Sequence, residues 1–437
     1  MAALTKLSVE ILQMIASQAN GLSKSDLASL ALTNRQICAA ISPVLYKQFG
    51  VPQAIDFAFK KDRAIILQAA IDWEAAKIDD ISLLRACQWG AKGIVTWILD
   101  NNPQIIRENI SRCEHGHYAE SKWTSPLCAA IDRGHEKVAL ILLSRGACPR
   151  ITIRMHSIGP IGPGISRESI HCDTALHLAA EAGMKQVVQF LIQKRILSVN
   201  EKGEDGRTPL HASIIAGRMS HGRSKGTFKQ LIDLGADIEA EDNAHHRPLL
   251  CAIENYEYSF ALRLLDAGAK AEPNTADHGA RRPITAAAED CNLGYRYTMR
   301  YRGRSYEFPK EAQCLLVSKL VESGADINVI DCDGRTPLTI ASRLGTDQLL
   351  SRMISLGADV NRQDGHGDKP FNRHLSHRWA YLQWGRIEQT FWEMVEIYLK
   401  AGAEFDEDKI WINRQEKYPD SPRFKLRRLI ERVQEGH

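Results

Sequence analysis

Apolar positions along this chain recur in short blocks whose spacing fits helices of two or three turns rather than strands. One kind of block ends in a pair of large aliphatic residues followed by glycine: Leu142-Leu143 before Gly146, Leu231-Ile232 before Gly235, Leu264-Leu265 before Gly268, Leu320-Val321 before Gly324 and Met353-Ile354 before Gly357. Val138, Val187 and Val188 join such pairs on one helical face, and the glycine that follows predicts a left-handed stop. A second kind of block precedes the first. It reads Thr174-Ala-Leu-His-Leu-Ala, Thr208-Pro-Leu-His-Ala-Ser and Thr336-Pro-Leu-Thr-Ile-Ala, with looser copies at Ser125-Pro-Leu-Cys, Arg247-Pro-Leu-Leu and Arg282-Pro-Ile-Thr. A Thr or Ser hydroxyl can cap a helix start, and the following Pro brings a helix-ready φ where no N–H bond is needed. Ala179, Ala180, Ala252 and Ala287 keep this helix thin, and Gly134, Gly183, Gly217 and Gly345, each nine residues after a motif start, are expected to end it.

The same register extends to a degenerate unit from Ile81, a weaker one near Gln53 and a last one from Lys369 that closes at Gly402-Ala403. Motif starts near 53, 81, 125, 174, 208, 247, 282, 336 and 369 make about nine helix hairpins. The paired motifs resemble the ankyrin repeat and its T-P-L-H-x-A signature. That resemblance implies an all-α solenoid of helix pairs with short hairpin loops, in which each unit buries its apolar faces only against its neighbours. It also implies a partner protein held along the hairpin tips and the first helices. Insertions at 149–171 and 291–311 are expected to loop out, the first as a flexible segment around Gly159-Pro-Ile-Gly-Pro-Gly164.

Residues 1–50 read differently, as three short helices over Leu7 to Ile15, Ser25 to Leu32 and Arg35 to Ile41. Leu7, Glu10-Ile11-Leu12, Asp26-Leu27-x-x-Leu30, Thr33-Asn34-Arg35 and Pro43-x-Leu45-Tyr46 resemble the F-box of fungal F-box and ankyrin proteins. The family carries Pro after the first Leu; Ser8 stands here, a residue that also caps a helix. The resemblance implies docking on a Skp-family adaptor of a cullin–RING ubiquitin ligase through Leu7, Glu10, Ile11, Leu12, Ile15, Leu27 and Leu30, with the repeats holding the substrate. The other reading is that these helices only cap the first repeat, in an ankyrin scaffold without a ubiquitin role. The repeats span 51–409. Residues 410–437, with Trp411 and the amphipathic run from Phe424, read as a C-terminal helical cap.

Composition narrows the partner. The 437 residues carry 56 Lys and Arg against 53 Asp and Glu, a formal charge of +3, which argues against nucleic acid or an anionic membrane as the main target. Lys6 and Glu10 interrupt the first apolar block before it reaches signal-peptide length, and no stretch is long enough to span a bilayer. The ten cysteines show no paired framework, which suits reduced thiols in the cytoplasm or nucleus.

Candidate contact residues fall in two groups. The hairpin tips offer Asp242, Asn243, His245, Asp331, Asp333, Arg362 and Asp364. The insertion after Ala288 interleaves Tyr295, Arg296, Tyr297, Arg300, Tyr301 and Arg302, a pairing of types common at binding hot spots and suited to an acidic protein segment. No catalytic residue, metal site or cofactor is expected. Gly217 to Arg223 lacks the Lys of a P-loop, Cys113, His115 and His117 lack a zinc-site spacing, and His177 and His211 sit where a bond to the adjacent turn accounts for them.

Overall fold

The computed structural model describes residues 58–64, 67–68, 80–105, 125–156, 168–203, 205–219, 224–271, 282–289, 310–344, 347–375, 389–404 and 422–435. The chain divides into two compact units, Met1–Ala236 and Asp237–His437. Each is built of the stacked helix hairpins of an all-α ankyrin solenoid.

In the first unit the described pairs are α1 (Asp80–Trp89) with α2 (Lys92–Asn101), α3 (Pro126–Asp132) with α4 (Glu136–Ser144), α5 (Ala175–Ala182) with α6 (Lys185–Gln193), and α7 (Pro209–Met219) with α8 (Lys225–Asp233). Each first helix packs on the first helix of the preceding pair, and each second helix on its own counterpart. Small residues make this possible: Ala129, Ala130, Ala179 and Ala180 are fully buried, and Val138, Leu142, Val187, Val188 and Leu191 fill the layer between hairpins. Cys87 and Cys128 are buried free thiols in the same layer, and burial pushes the Cys87 thiol up.

Helix starts follow the motif chemistry. Ser125 Oγ accepts from the Cys128 N–H at 3.1 Å, and Pro126 opens α3. Gly134 (φ 83°) and Gly183 (φ 76°) end the first helices in the left-handed region, as their positions predict. Gly217 does not. It lies inside α7, which runs on to Met219. The reason is length: eleven residues separate Ser125 from Glu136 and Thr174 from Lys185, but seventeen separate Thr208 from Lys225. The extra residues let α7 continue, and glycine permits a left-handed stop without enforcing one. Gly345 lies outside the described residues.

The insertion expected to be flexible contains instead an antiparallel ribbon, β1 (Arg150–His156) with β2 (Glu168–Thr174), in register from Arg150 opposite Thr174 to His156 opposite Glu168. Its ends are fixed by the repeats. Pro149 O accepts from the Ala175 N–H at 2.6 Å, and Thr174 is at once the end of β2 and the cap of α5. With both ends held side by side, pairing the strands satisfies backbone groups that a loose loop would leave to water.

The second unit holds α9 (Pro248–Glu254) with α10 (Tyr258–Asp266), α11 (Pro283–Ala288) with α12 (Lys310–Glu322), and α13 (Pro337–Leu344) with α14 (Asp347–Ser355). A helical turn at 370–375 and α15 (Gln389–Lys400) follow, and α16 (Pro422–Gln434) packs on α15 with Leu426 buried. The last hairpin is closed by aromatic packing. Tyr398 is fully buried, stacks on Phe371 with centroids 5.1 Å apart, and shares a hydrogen bond with Ser342 of α13. His374 stacks on Phe391 at 5.1 Å, and its Nδ1 meets Ser342 O at 2.9 Å.

Candidate protein-recognition surface

The hairpin tips of the second unit repeat one construction. Asp242 Oδ1 accepts from the N–H groups of Ala244 (2.9 Å) and His246 (2.8 Å). Asp364 Oδ1 accepts from those of His366 and Asp368, both at 2.9 Å, and Asp331 Oδ1 from that of Arg335 at 2.6 Å. Backbone bonds close the same ring, Asp242 N–H to His246 O, Asp331 N–H to Arg335 O and Asp364 N–H to Asp368 O. An Asp here folds the turn by mimicking a backbone carbonyl. Each ring then needs a left-handed residue three positions on, supplied by His245 (φ 59°), Gly334 (φ 74°) and Gly367 (φ 75°).

This geometry sorts the candidate contact residues. Asp242, Asp331 and Asp364 turn their carboxylates into their own turns, and Asp331 and Asp364 also bind Arg335 and Arg373. Asn243, His245, Asp333 and Arg362 are exposed and form the outward side of the tips. Asp333 faces Arg335 Nη2 at 2.7 Å, and His245 Nδ1 lies 3.3 Å from Glu241. His245 and Arg247 hold the Glu241 carboxyl below the usual glutamate range. The F-box-like residues Leu7, Glu10, Ile11, Leu12, Ile15, Leu27 and Leu30 lie outside the described residues, as do Tyr295, Arg296, Tyr297, Arg300, Tyr301 and Arg302.

Neighbouring tips are tied together. Gly365 N–H donates to Gly334 O at 2.5 Å, and a Cβ on Gly334 would stand 2.7 Å from Gly365 Cα, so both positions require glycine. In the first unit His177 makes an equivalent tie. Its Nδ1 accepts from the Thr174 N–H (3.4 Å), so Nε2 carries the proton and donates to Arg207 O in the next turn at 3.0 Å. His211 binds Thr208 N–H in the same way at 3.2 Å, which makes both histidines parts of the scaffold.

Composition alone missed one site. A cleft of about 580 Å³ opens at the foot of the ribbon, lined on one side by Cys148, Pro149 and Arg150 and on the other by the end of α6 and the segment to Glu201. Its signal was present in the sequence: where six other repeats read Gly-Ala, this one reads Arg195-Ile196. Among the described residues no helix is long and apolar enough to cross a membrane.

Comparison with known proteins agrees with the hairpin geometry. The ankyrin repeats (3 copies) family matches residues 161–242, and the ankyrin repeat family matches 333–365. Human neurogenic locus notch homolog protein 2 is 30% identical over 221 residues, 48% of this chain and 8% of that protein. Human transient receptor potential cation channel subfamily A member 1 is 23% identical over 346 residues, 64% of this chain and 28% of that one. A Plasmodium falciparum protein whose given name carries the words E3 ubiquitin-protein ligase is 30% identical over 156 residues, 33% of this chain and 2% of that protein. The chain thus spans less than a third of the length of each of these relatives. Capped first helices, left-handed glycines and these matches together establish that the chain carries ankyrin repeats, which are protein–protein interaction modules.

Proposed function

We propose that the chain is the substrate-recruiting subunit of an F-box type cullin–RING ubiquitin ligase. In this reading residues 1–50 dock on a Skp-family adaptor, the repeats hold a protein substrate, and the chain itself performs no chemistry. The gain is effective concentration: a captured protein is presented to a ubiquitin-loaded enzyme held in the same assembly. The supporting observation lies at the start of the stack. Ala58 and Phe59 are buried, and Asp62 accepts from the N–H groups of Gly93 (2.8 Å) and Ile94 (2.9 Å), capping α2. The segment just before α1 therefore belongs to the stack, and the docking role is carried by the F-box-like pattern of Leu7, Leu12, Leu27 and Leu30 that precedes it in the sequence.

Mixing the full chain with purified Skp-family adaptor tests this. A stoichiometric complex is expected, abolished by Leu12→Asp with Leu30→Asp. No complex with the unaltered chain would leave an ankyrin scaffold without a ubiquitin role.

A further inference from the structure

In six hairpins the second helix ends on glycine followed by alanine: Gly146, Gly235, Gly268, Gly324, Gly357 and Gly402, all with φ between 77° and 97°. The alanine turns inward and is largely buried where Ala236, Ala269, Ala325 and Ala358 stand. After α6 the backbone makes the same turn, with Arg195 N–H on Ile192 O and Ile196 N–H on Leu191 O, both at 3.0 Å. The side chains differ. Arg195 takes the left-handed position at φ 52°, and Ile196 is left 39% exposed.

Left-handed backbone is unfavourable for a residue with a Cβ, so its occupant ordinarily returns something to the fold. The other described non-glycine residues in this conformation do so: Asp62 caps α2, His245 meets Glu241, and Tyr256 packs edge-on against Tyr258. Arg195 returns nothing of that kind. Its guanidinium has no hydrogen bond or ion pair among the described residues, and it lines the cleft at the foot of the ribbon.

The rest of that cleft is consistent with a ligand's chemistry. Arg150, exposed at the start of β1 and likewise without an ion partner among the described residues, brings a second cation, against one acid, Glu201. Ile192 and Ile196 add aliphatic surface beside the two charges. At about 580 Å³ the space falls within the ~300–1,000 Å³ typical of ligand sites.

We infer that this cleft binds an acidic peptide segment of a partner protein, a carboxylate side chain meeting Arg195 and Arg150 while a neighbouring aliphatic side chain covers Ile196. The inference rests on the stack being a protein-binding surface, and not on any link to a ligase. Binding weakens as salt is raised because the charges are exposed.

The test uses the full chain and a fluorescein-labelled peptide of alternating Glu and Leu, read by fluorescence anisotropy. Arg195→Gly restores the residue found in six other repeats, so the variant folds at least as stably. Its affinity is expected to drop about tenfold while the thermal midpoint holds or rises. Arg150→Ser weakens binding similarly, and Lys400→Ser, which removes the same charge from the second unit, leaves it unchanged. Peptides with Lys for Glu, or Ser for Leu, bind at least tenfold more weakly. The proposal is overturned if the unaltered chain does not bind, if the three peptides bind alike, or if Arg195→Gly matches the unaltered chain. Adaptor binding is scored separately, so loss of the ligase reading leaves this result standing.

Discussion

Asn328 reaches across to Asp359 in the next repeat: its Oδ1 accepts from the Asp359 N–H at 2.7 Å while its Nδ2 donates to Gly357 O at 3.0 Å. Asn361 does the same one repeat later, binding Glu404 N–H at 2.7 Å and Gly402 O at 3.0 Å. Glu239, four residues after Gly235, occupies the corresponding place earlier in the chain and accepts from the Lys270 N–H at 2.8 Å. At these three places one polar side chain ties its turn to the next one along the stack.

Removing the first of these ties has a local cost. Asn328→Ala loses two bonds and is expected to destabilise the second unit by about 1–2 kcal/mol. Hydrogen exchange of the Asp359 amide should quicken, while that of Ala129 in the first unit stays as it was. Unchanged exchange at Asp359 would show that the tie contributes nothing.

Glycine substitutions should rank by surroundings. A Cβ on Gly357 (φ 93°) meets no atom within 4 Å, so Gly357→Ala carries only the backbone penalty, about 1 kcal/mol. Gly334→Ala adds a collision with Gly365 at 2.7 Å and is expected to cost more and to part the two tips. Urea unfolding of both variants gives the order; equal losses would refute the tip contact.

Tyr398 and Ser342 form a buried pair whose members can be separated by mutation. Tyr398→Phe keeps the stack on Phe371 and leaves Ser342 its bond to Leu338 O, so a loss of about 1 kcal/mol is expected. Ser342→Ala in the same chain should add less than it costs alone, because the shared bond is already gone. Strict additivity in chemical denaturation would count against the bond.

Acid sensitivity should include a contribution from Glu241. Its carboxyl is depressed by His245 and then by Arg247, so the stability it supplies is present above the ordinary glutamate value of 4.5 and is lost as pH falls through the lowered one. Glu241→Gln is expected to cost under about 1 kcal/mol at neutral pH and to flatten the acid limb of a stability profile. An acid limb of unaltered slope would contradict this.

The hairpins were legible in the sequence because their chemistry is local. A capping Thr, a Pro at the first turn and a left-handed Gly act within a few residues, and the repeated spacing carries the stacking. Less was legible where one segment answers to another. Asp242, Asp331 and Asp364 look like surface charge until the turn they fold is seen, and Gly217 looks like a stop until the longer connection to α8 is counted. The ribbon has its own signal, the polar–apolar alternation of Arg150-Ile-Thr-Ile-Arg-Met-His, which the neighbouring Gly/Pro-rich sequence outweighs when a flexible insertion is expected. Arg195 was hidden by its neighbours' regularity, since it is informative only as the exception to the glycine rule.

The long connection between α7 and α8 has a practical side. The seventeen-residue offset leaves α8 packed on α6 just as α6 packs on α4, so the hairpin tolerates guest sequence at that point without shifting its neighbours. A reporter or affinity tag spliced between Met219 and Ser224 would give experimenters a handle within the chain, away from both ends of the sequence.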